Sequence, residues 1–306
     1  MNLLKLKNKI LSGLYRKWID RINEAWMFVF LLLIIILPFI LAAGLYLKSY
    51  LIISENHLSE LLFTDIWKPA ENKFGFAPFI ISSVWVSLSA LILAVPVCLL
   101  SSIYITQYAR SSVLKLMQPV IDILAGIPSV IYGVWGVLMI VPFSVKAAEW
   151  FGIHTTGYNI FSGALVLLIM VIPFILNILI EIFRIIPEEL SEASLSLGAT
   201  KWETIKFVLL RKALPGIVSA FGLGLSRAFG ETIAVLMVVG NVIKIPHNIF
   251  DAGYPLPALI ANNYGEMLSI PKYDSALMFA ALILLAVVLI FNFASRLLIM
   301  RLERYS

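Results

Sequence analysis

Cysteine is nearly absent from this 306-residue chain: Cys98 stands alone, which excludes an intramolecular disulfide and any metal centre built from paired thiolates. Charge is scarce too. Asp, Glu, Lys and Arg make up 13% of the sequence and hydrophobic residues 61%, whereas a soluble domain is roughly 25% charged. The three histidines, His57, His154 and His247, fall in expected loops and read as solvated imidazoles. No G-x-x-x-x-G-K-[ST] loop occurs; the nearest approach, Gly152-Ile-His-Thr-Thr-Gly157, continues with Tyr158-Asn159 and lacks the lysine. H-E-x-x-H and a Ser/His/Asp set of plausible depth are missing as well, so the sequence displays no enzyme active site.

Long apolar runs are what the chain has in quantity. Residues 25–47, 79–105, 116–141, 160–180, 214–241 and 275–295 are uncharged or nearly so. Each is long enough to cross the hydrocarbon core, which takes about 20 residues. They predict an all-α integral membrane protein with six transmembrane helices. Cys98, inside the second run, reads as a small packing residue. Asp122, near the start of the third, reads as a local cap or pair at the inner interface.

Sixteen of the 23 Lys and Arg lie in residues 1–24, 106–115, 181–213 and 296–306. The positive-inside rule places those segments, and both termini, in the cytoplasm. The net charge of +5 thus reports topology, and its dispersal among loops argues against a nucleic-acid partner. Residues 1–24 form a basic N-terminal segment and 25–47 the first span. That run is too long for a cleaved signal and no clear A-x-A site follows it, so a retained signal-anchor helix is expected. The segments between spans are too short to fold alone, so any ATP-binding or ligand-capturing domain must sit on another polypeptide.

The inner segment 181–213 carries helix punctuation. Pro187 suits a first helical turn, Glu188, Glu189 and Glu192 its acidic N-terminal half, and Gly198 a C-terminal cap. Thr200-Lys-Trp-Glu203 then spells a capping box. Two short helices around a glycine turn are predicted on the cytoplasmic surface. Periodicity leaves open whether they dock into a partner or rest on lipid headgroups.

Three segments resemble known permeases. Glu192-Ala193-Ser194-Leu-Ser-Leu-Gly198 resembles the E-A-A-x-x-x-G motif of membrane subunits of ATP-binding-cassette importers, with Ser194 replacing the second alanine. The I-x-L-P continuation of that motif reads Val208-Leu209-Leu210-Arg211 here, and a proline comes only at Pro215. Ile127-Pro-Ser-Val-Ile-Tyr-Gly-Val-Trp-Gly136 and Arg227-Ala-Phe-Gly-Glu-Thr232 are similar to the phosphate-specific importer permeases. Ile233 to Asn241 suggests the PstC branch over its sister PstA.

The resemblance implies a type I importer permease core over residues 76–300, in a bacterial cytoplasmic (inner) membrane. It also implies a coupling role for Glu192, Ala193, Ser194 and Gly198. The implied partners are a PstA-like second permease subunit, two ATPase subunits and an extracytoplasmic phosphate-binding protein. ATP and Mg would be bound by the ATPases, with no cofactor in this chain, and the substrate would be inorganic phosphate. Sulfate and molybdate permeases share an R-x-x-G-E core but typically carry Phe after the Glu, and Thr232 favours phosphate. A passive anion channel or a membrane sensor without an ATPase is the reading from another class, which the 192–198 motif opposes.

Arg227 and Glu231 are the only charges between residues 213 and 243. A charge near the bilayer centre costs roughly 2.5–3.5 kcal/mol even on the mild insertion scale, and marks an ion or substrate path. Gly216, Ala220, Gly224, Ala228 and Thr232 recur every four residues and define a small-residue packing stripe. Arg227 and Glu231 fall on the adjacent stripe. The expectation is a path along a helix seam shared with a second permease subunit, with Arg227, Glu231, Thr232 and Ser129 as its residues. The competing reading is an Arg227–Glu231 pair that neutralises itself across one turn, although Arg N-terminal to Glu is the poorer orientation. Pro128 either places Ser129 along the path or only bends the helix.

Overall fold

Apolar runs state that helices cross the membrane; proline, glycine and side-chain oxygens decide where they stop. In this computed structural model the described residues are 2–265 and 271–303, with side chains described at 18–110, 112–265 and 272–301. The basic side chains Lys5, Lys7, Lys9, Arg16 and Lys17 of the expected cytoplasmic segment, and Arg304, lie outside them. Among the described residues, six helices are long and apolar enough to cross a membrane. The chain divides into two units, Met1–Lys48 and Ser49–Ser306.

The first unit is most of helix α1 (Asn2–Glu55). Its apolar side chains from Trp26 to Leu41 are exposed. A helix apolar on every side is at home in lipid.

The second unit begins with the end of α1 and α2 (Leu58–Phe63). A small hairpin follows, β1 (Trp67–Lys68) against β2 (Lys73–Phe74), with Trp67 opposite Phe74. Lys68 and Lys73 bond the Glu71 carboxylate at 3.0 and 3.2 Å, and these bonds, Lys68 first, hold its pKa below the ordinary carboxylate range. The Trp67 ring makes edge contacts with Phe74, Phe76, Phe79 and Tyr273.

The remaining helices are α3 (Ala77–Tyr108), α4 (Ser111–Gly126), α5 (Ser129–Trp150), α6 (Ile160–Ile185), α7 (Glu188–Ser196), α8 (Lys201–Gly230), α9 (Ile233–Val238), α10 (Leu256–Asn263) and α11 (Pro271–Glu303). The main core lies where α3, α6 and α8 meet. On α3 the buried residues Ser82, Val86, Ala90, Ala94, Cys98 and Ser102 recur every four positions. One narrow face of small side chains therefore meets Leu167, Val171, Ile175 and Leu179 of α6, the close approach that small residues permit in lipid. Cys98 is a packing residue of this face.

Two of the six expected spans are redrawn. The third, expected at 116–141, is cut at Ile127–Pro128, both extended (ψ 129° and 140°); the crossing helix is α5, and residues 116–126 belong to the separate helix α4. Pro38, Pro96, Pro119, Pro173 and Pro215 all sit inside helices, so proline alone does not decide. At Pro128 the residue before it is biased toward extended backbone, and Gly126 weakens the turn just ahead. The fifth span, expected at 214–241, starts at Lys201 and ends at Gly230. The helix opened by Thr200 is thus not a separate surface helix but the foot of α8, joined to it through a π-turn at Ile205–Leu209.

Candidate functional site

Arg227 stands in the last turn of α8, where the carbonyl end of a helix favours a cation. Its side chain is exposed, and the guanidinium carbon lies 5.0 Å from the centre of the Phe174 ring on α6, a cation–π contact. Tyr132 on α5 is within electrostatic reach of the same charge.

After Gly230 the backbone turns extended at Glu231 (φ −72°, ψ 127°). This ends the four-residue stripe, so Glu231 and Thr232 do not continue the faces of Arg227 and Ala228. Glu231 instead accepts a long hydrogen bond, 3.4 Å, from the Ala234 amide at the start of α9. It borders a crevice of about 10 Å³ beside Ser83 and Ser87 of α3. Thr232 donates to the Gly230 carbonyl at 3.3 Å, across the break. No Arg227–Glu231 ion pair occurs among the described residues. The self-neutralising pair is therefore not present in this conformation.

The small stripe has a different neighbour from the one expected. A Cβ on Gly216 would press on Ile182, and one on Gly224 on Ile175 and Val171. Ala220 and Ala228 are buried in the same core. The seam that Gly216, Ala220, Gly224 and Ala228 form is thus with α6 of this chain rather than with a second subunit. Toward α11, Ser226 donates to Asn292 Oδ1 at 2.8 Å.

The two motifs quoted from the third and fifth runs pack on each other. A Cβ at Gly133 would meet Met237 Sδ and the Ala234 backbone, and one at Gly136 would meet Val238 and Val166. Partner numbers rise together, so α5 and α9 run parallel. Ser129 opens α5 four residues, about 6 Å of helix, before Gly133, and Ile233 opens α9 one residue before Ala234. Both helices therefore begin near this contact, each just after a backbone break, one at Ile127–Pro128 and one at Gly230–Glu231. Interrupted helices paired in this way are a recurrent setting for transported ligands. Ser129, half-buried, opens α5 at that level. Phe174, Gly133 and Gly136 were not singled out as site residues from sequence; the three-residue spacing of the glycines was the available signal.

The 181–213 segment builds a second feature. Pro187 stands at the N-cap of α7, one place before the helix. Gly198, with φ 86°, closes it: the Ala199 amide donates to the Ser194 carbonyl and the Gly198 amide to Leu195, the paired bonds of a Schellman motif. The capping box is complete, with Thr200 N to Glu203 Oε2 at 2.7 Å and Glu203 N to Thr200 Oγ1 at 3.3 Å. Glu192, Ala193 and Gly198 are exposed, and Leu197 is 90% exposed. Ser194 turns inward, its hydroxyl 2.9 Å from that of the buried Thr204. Between α7 and the helix ends lies a cavity of about 430 Å³ walled by Gln107, Arg184, Glu188 and Lys201 among others.

Residues 98–304 match the family described as the binding-protein-dependent transport system inner membrane component. The chain belongs to that family. It is 36% identical over 258 residues to the phosphate transport system permease protein PstC of Pasteurella multocida, covering 79% of this chain and 80% of that one. It is 37% identical over 222 residues to the probable ABC transporter permease protein YqgH of Bacillus subtilis, covering 72% and 70%. In three dimensions it is similar to a chain of a bacterial alginate ABC transporter solved in complex with alginate pentasaccharide-bound periplasmic protein. The TM-score is 0.61 at 17% identity, over 90% of this chain and 94% of that one. The fold is that of a type I ABC importer permease, and the chain is an inner-membrane transport component.

Proposed function

We propose that this chain is the membrane permease subunit of an ATP-driven importer of inorganic phosphate. The observation that carries the reading is its likeness to PstC proteins over most of its length. An accessible intramembrane arginine beside two helix breaks agrees with it. A guanidinium offers a planar fork matched to oxyanions. Lodged on Phe174, the arginine would meet phosphate with its charge only partly engaged, which keeps the site weak enough for release, as a conducting path requires. Glu231, one residue past the helix end, would take up Arg227 in another stage of the cycle. Thr232 and Ser129 would line the same level.

The motor would be external. The exposed face of α7, with Glu192, Ala193 and Gly198, would dock on ATPase subunits that hold ATP and Mg. A PstA-like permease would complete the path, and a phosphate-binding protein would deliver substrate at the opposite end. In this reading the 181–213 segment and both termini face the cytoplasm.

The test is labelled-phosphate uptake by cells carrying the chain with its co-encoded partners, with excess sulfate as competitor. Arg227→Gln should abolish uptake while the complex still purifies intact, and Glu192→Lys should lose ATPase association. Wild-type uptake in Arg227→Gln, or uptake suppressed by sulfate, would overturn the proposal.

A further inference from the structure

We propose that α4 is a hinged gate helix beside the substrate path, and that Gln118, Asn177 and Asp122 are the latch that holds it. The inference rests on the permease reading above. Extended residues bound α4 on both sides, Ala109 and Arg110 before it and Ile127 and Pro128 after it. Backbone rotation there moves the helix without unwinding it. Its apolar hold is a small cluster: Ile121, with the partly buried Leu114 and Met117, packs with Leu176 and Ile180 of α6 and with Ile105.

The polar hold of α6 on α4 is concentrated on one residue. Gln118 Nε2 donates to Asn177 Oδ1 at 3.0 Å, and Asn177 Nδ2 donates to Asp122 Oδ1 at 3.2 Å. Gln118 and Asp122 are one turn apart on α4, so both ends of a single amide on α6 grip the same face of the gate. Asn177 also lies one turn from Phe174, whose ring carries Arg227. The seat of the arginine and the latch thus share a turn of α6.

A latch must also let go. Gln118 Oε1 is shielded from solvent with no hydrogen-bond partner among the described residues. Moving α4 away exposes that oxygen to water, and its hydration offsets part of the two bonds broken. Across the second hinge, Tyr132 donates to the Leu124 carbonyl at 2.8 Å, linking α4 to the helix that shares the Arg227 level.

Polar groups that only cement helices would, when removed, lower assembly; a latch, when removed, opens a leak. Complexes of the full chain with its co-encoded partners, reconstituted in vesicles loaded with labelled phosphate, separate the two. Asn177→Leu removes both bonds and should raise ATP-independent phosphate efflux about tenfold, equivalent to about 1.4 kcal/mol in favour of the open gate, while lowering ATP-driven uptake. Asp122→Asn, which keeps the acceptor oxygen, should leak less than Asn177→Leu. Should Asn177→Leu fail to assemble, Gln118→Leu removes one bond and should leak to a smaller extent. Unchanged efflux from an intact Asn177→Leu complex, or from Gln118→Leu in its place, overturns the latch. If Arg227→Gln still transports, the path reading fails instead; a dead Arg227→Gln beside a tight Asn177→Leu sinks the latch alone.

Discussion

Arg227 rests on Phe174, a residue of the neighbouring helix, and not on Glu231, four positions along its own chain. The difference comes from one backbone turn. Had α8 continued through Gly230, Glu231 would sit one turn above the guanidinium and neutralise it. Because the helix stops, the cation keeps an aromatic partner that withdraws none of its charge. The carboxylate is left to meet the first amides of α9.

The first prediction concerns that aromatic seat. Phe174→Leu keeps an apolar side chain against α8 but removes the ring face, a loss of roughly 0.5–2 kcal/mol. Phosphate uptake should fall several-fold while complex yield on gel filtration stays near normal. Unaltered uptake would mean that the ring does not position the arginine.

A second prediction follows from the hydroxyl pair of Ser194 and Thr204. α7 has no buried residue, stands over a cavity and packs on the foot of α8. The Ser194–Thr204 bond joins α7 directly to the foot of the helix that bears Arg227. Thr204→Val keeps the shape and removes the bond, about 0.5–1.5 kcal/mol. More ATP should be hydrolysed per phosphate imported, with ATPase association intact. An unchanged ratio would place the transmission elsewhere.

Six membrane helices and the caps around α7 were legible in the sequence because each rests on local chemistry. Hydropathy needs only a run of apolar residues, and Thr200 and Glu203 cap within one turn. What was not legible depends on contacts between distant segments. Periodicity correctly put Gly216, Ala220, Gly224 and Ala228 on one face but carried no information that α6, through Ile175 and Ile182, covers it. The breaks at Pro128 and Gly230 were hidden for another reason: proline and glycine occur inside membrane helices elsewhere in this chain, at Pro96 and Gly224 for example. Asn177, a lone amide late in the fourth apolar run, was a signal passed over.

Gly133 and Gly136 should differ in their tolerance of alanine. At Gly136 the added methyl meets Val166 and Val238, β-branched side chains with little rotameric freedom. At Gly133 it meets mainly the thioether of Met237, which can swing aside. Gly136→Ala should therefore destabilise the folded chain by about 1–3 kcal/mol, with a smaller loss for Gly133→Ala. Thermal unfolding in detergent, followed by near-ultraviolet circular dichroism, ranks the two. The reverse order would mean that the Ala234 backbone, also close to Gly133, governs the fit.

Gly230 offers the sharpest separation of stability from transport. It is helical without a positive φ, and a Cβ there meets nothing within 4 Å. Alanine is thus sterically free, and it favours the helix by roughly 1 kcal/mol over glycine. Gly230→Ala should strengthen the last turn of α8 and bias the chain toward running on through Glu231. That carries the carboxylate toward Arg227 and takes it from the start of α9. The expected result is a complex at least as heat-stable as the parent with phosphate uptake reduced several-fold. Full uptake together with raised stability would show that transport does not need the helix to stop at this residue.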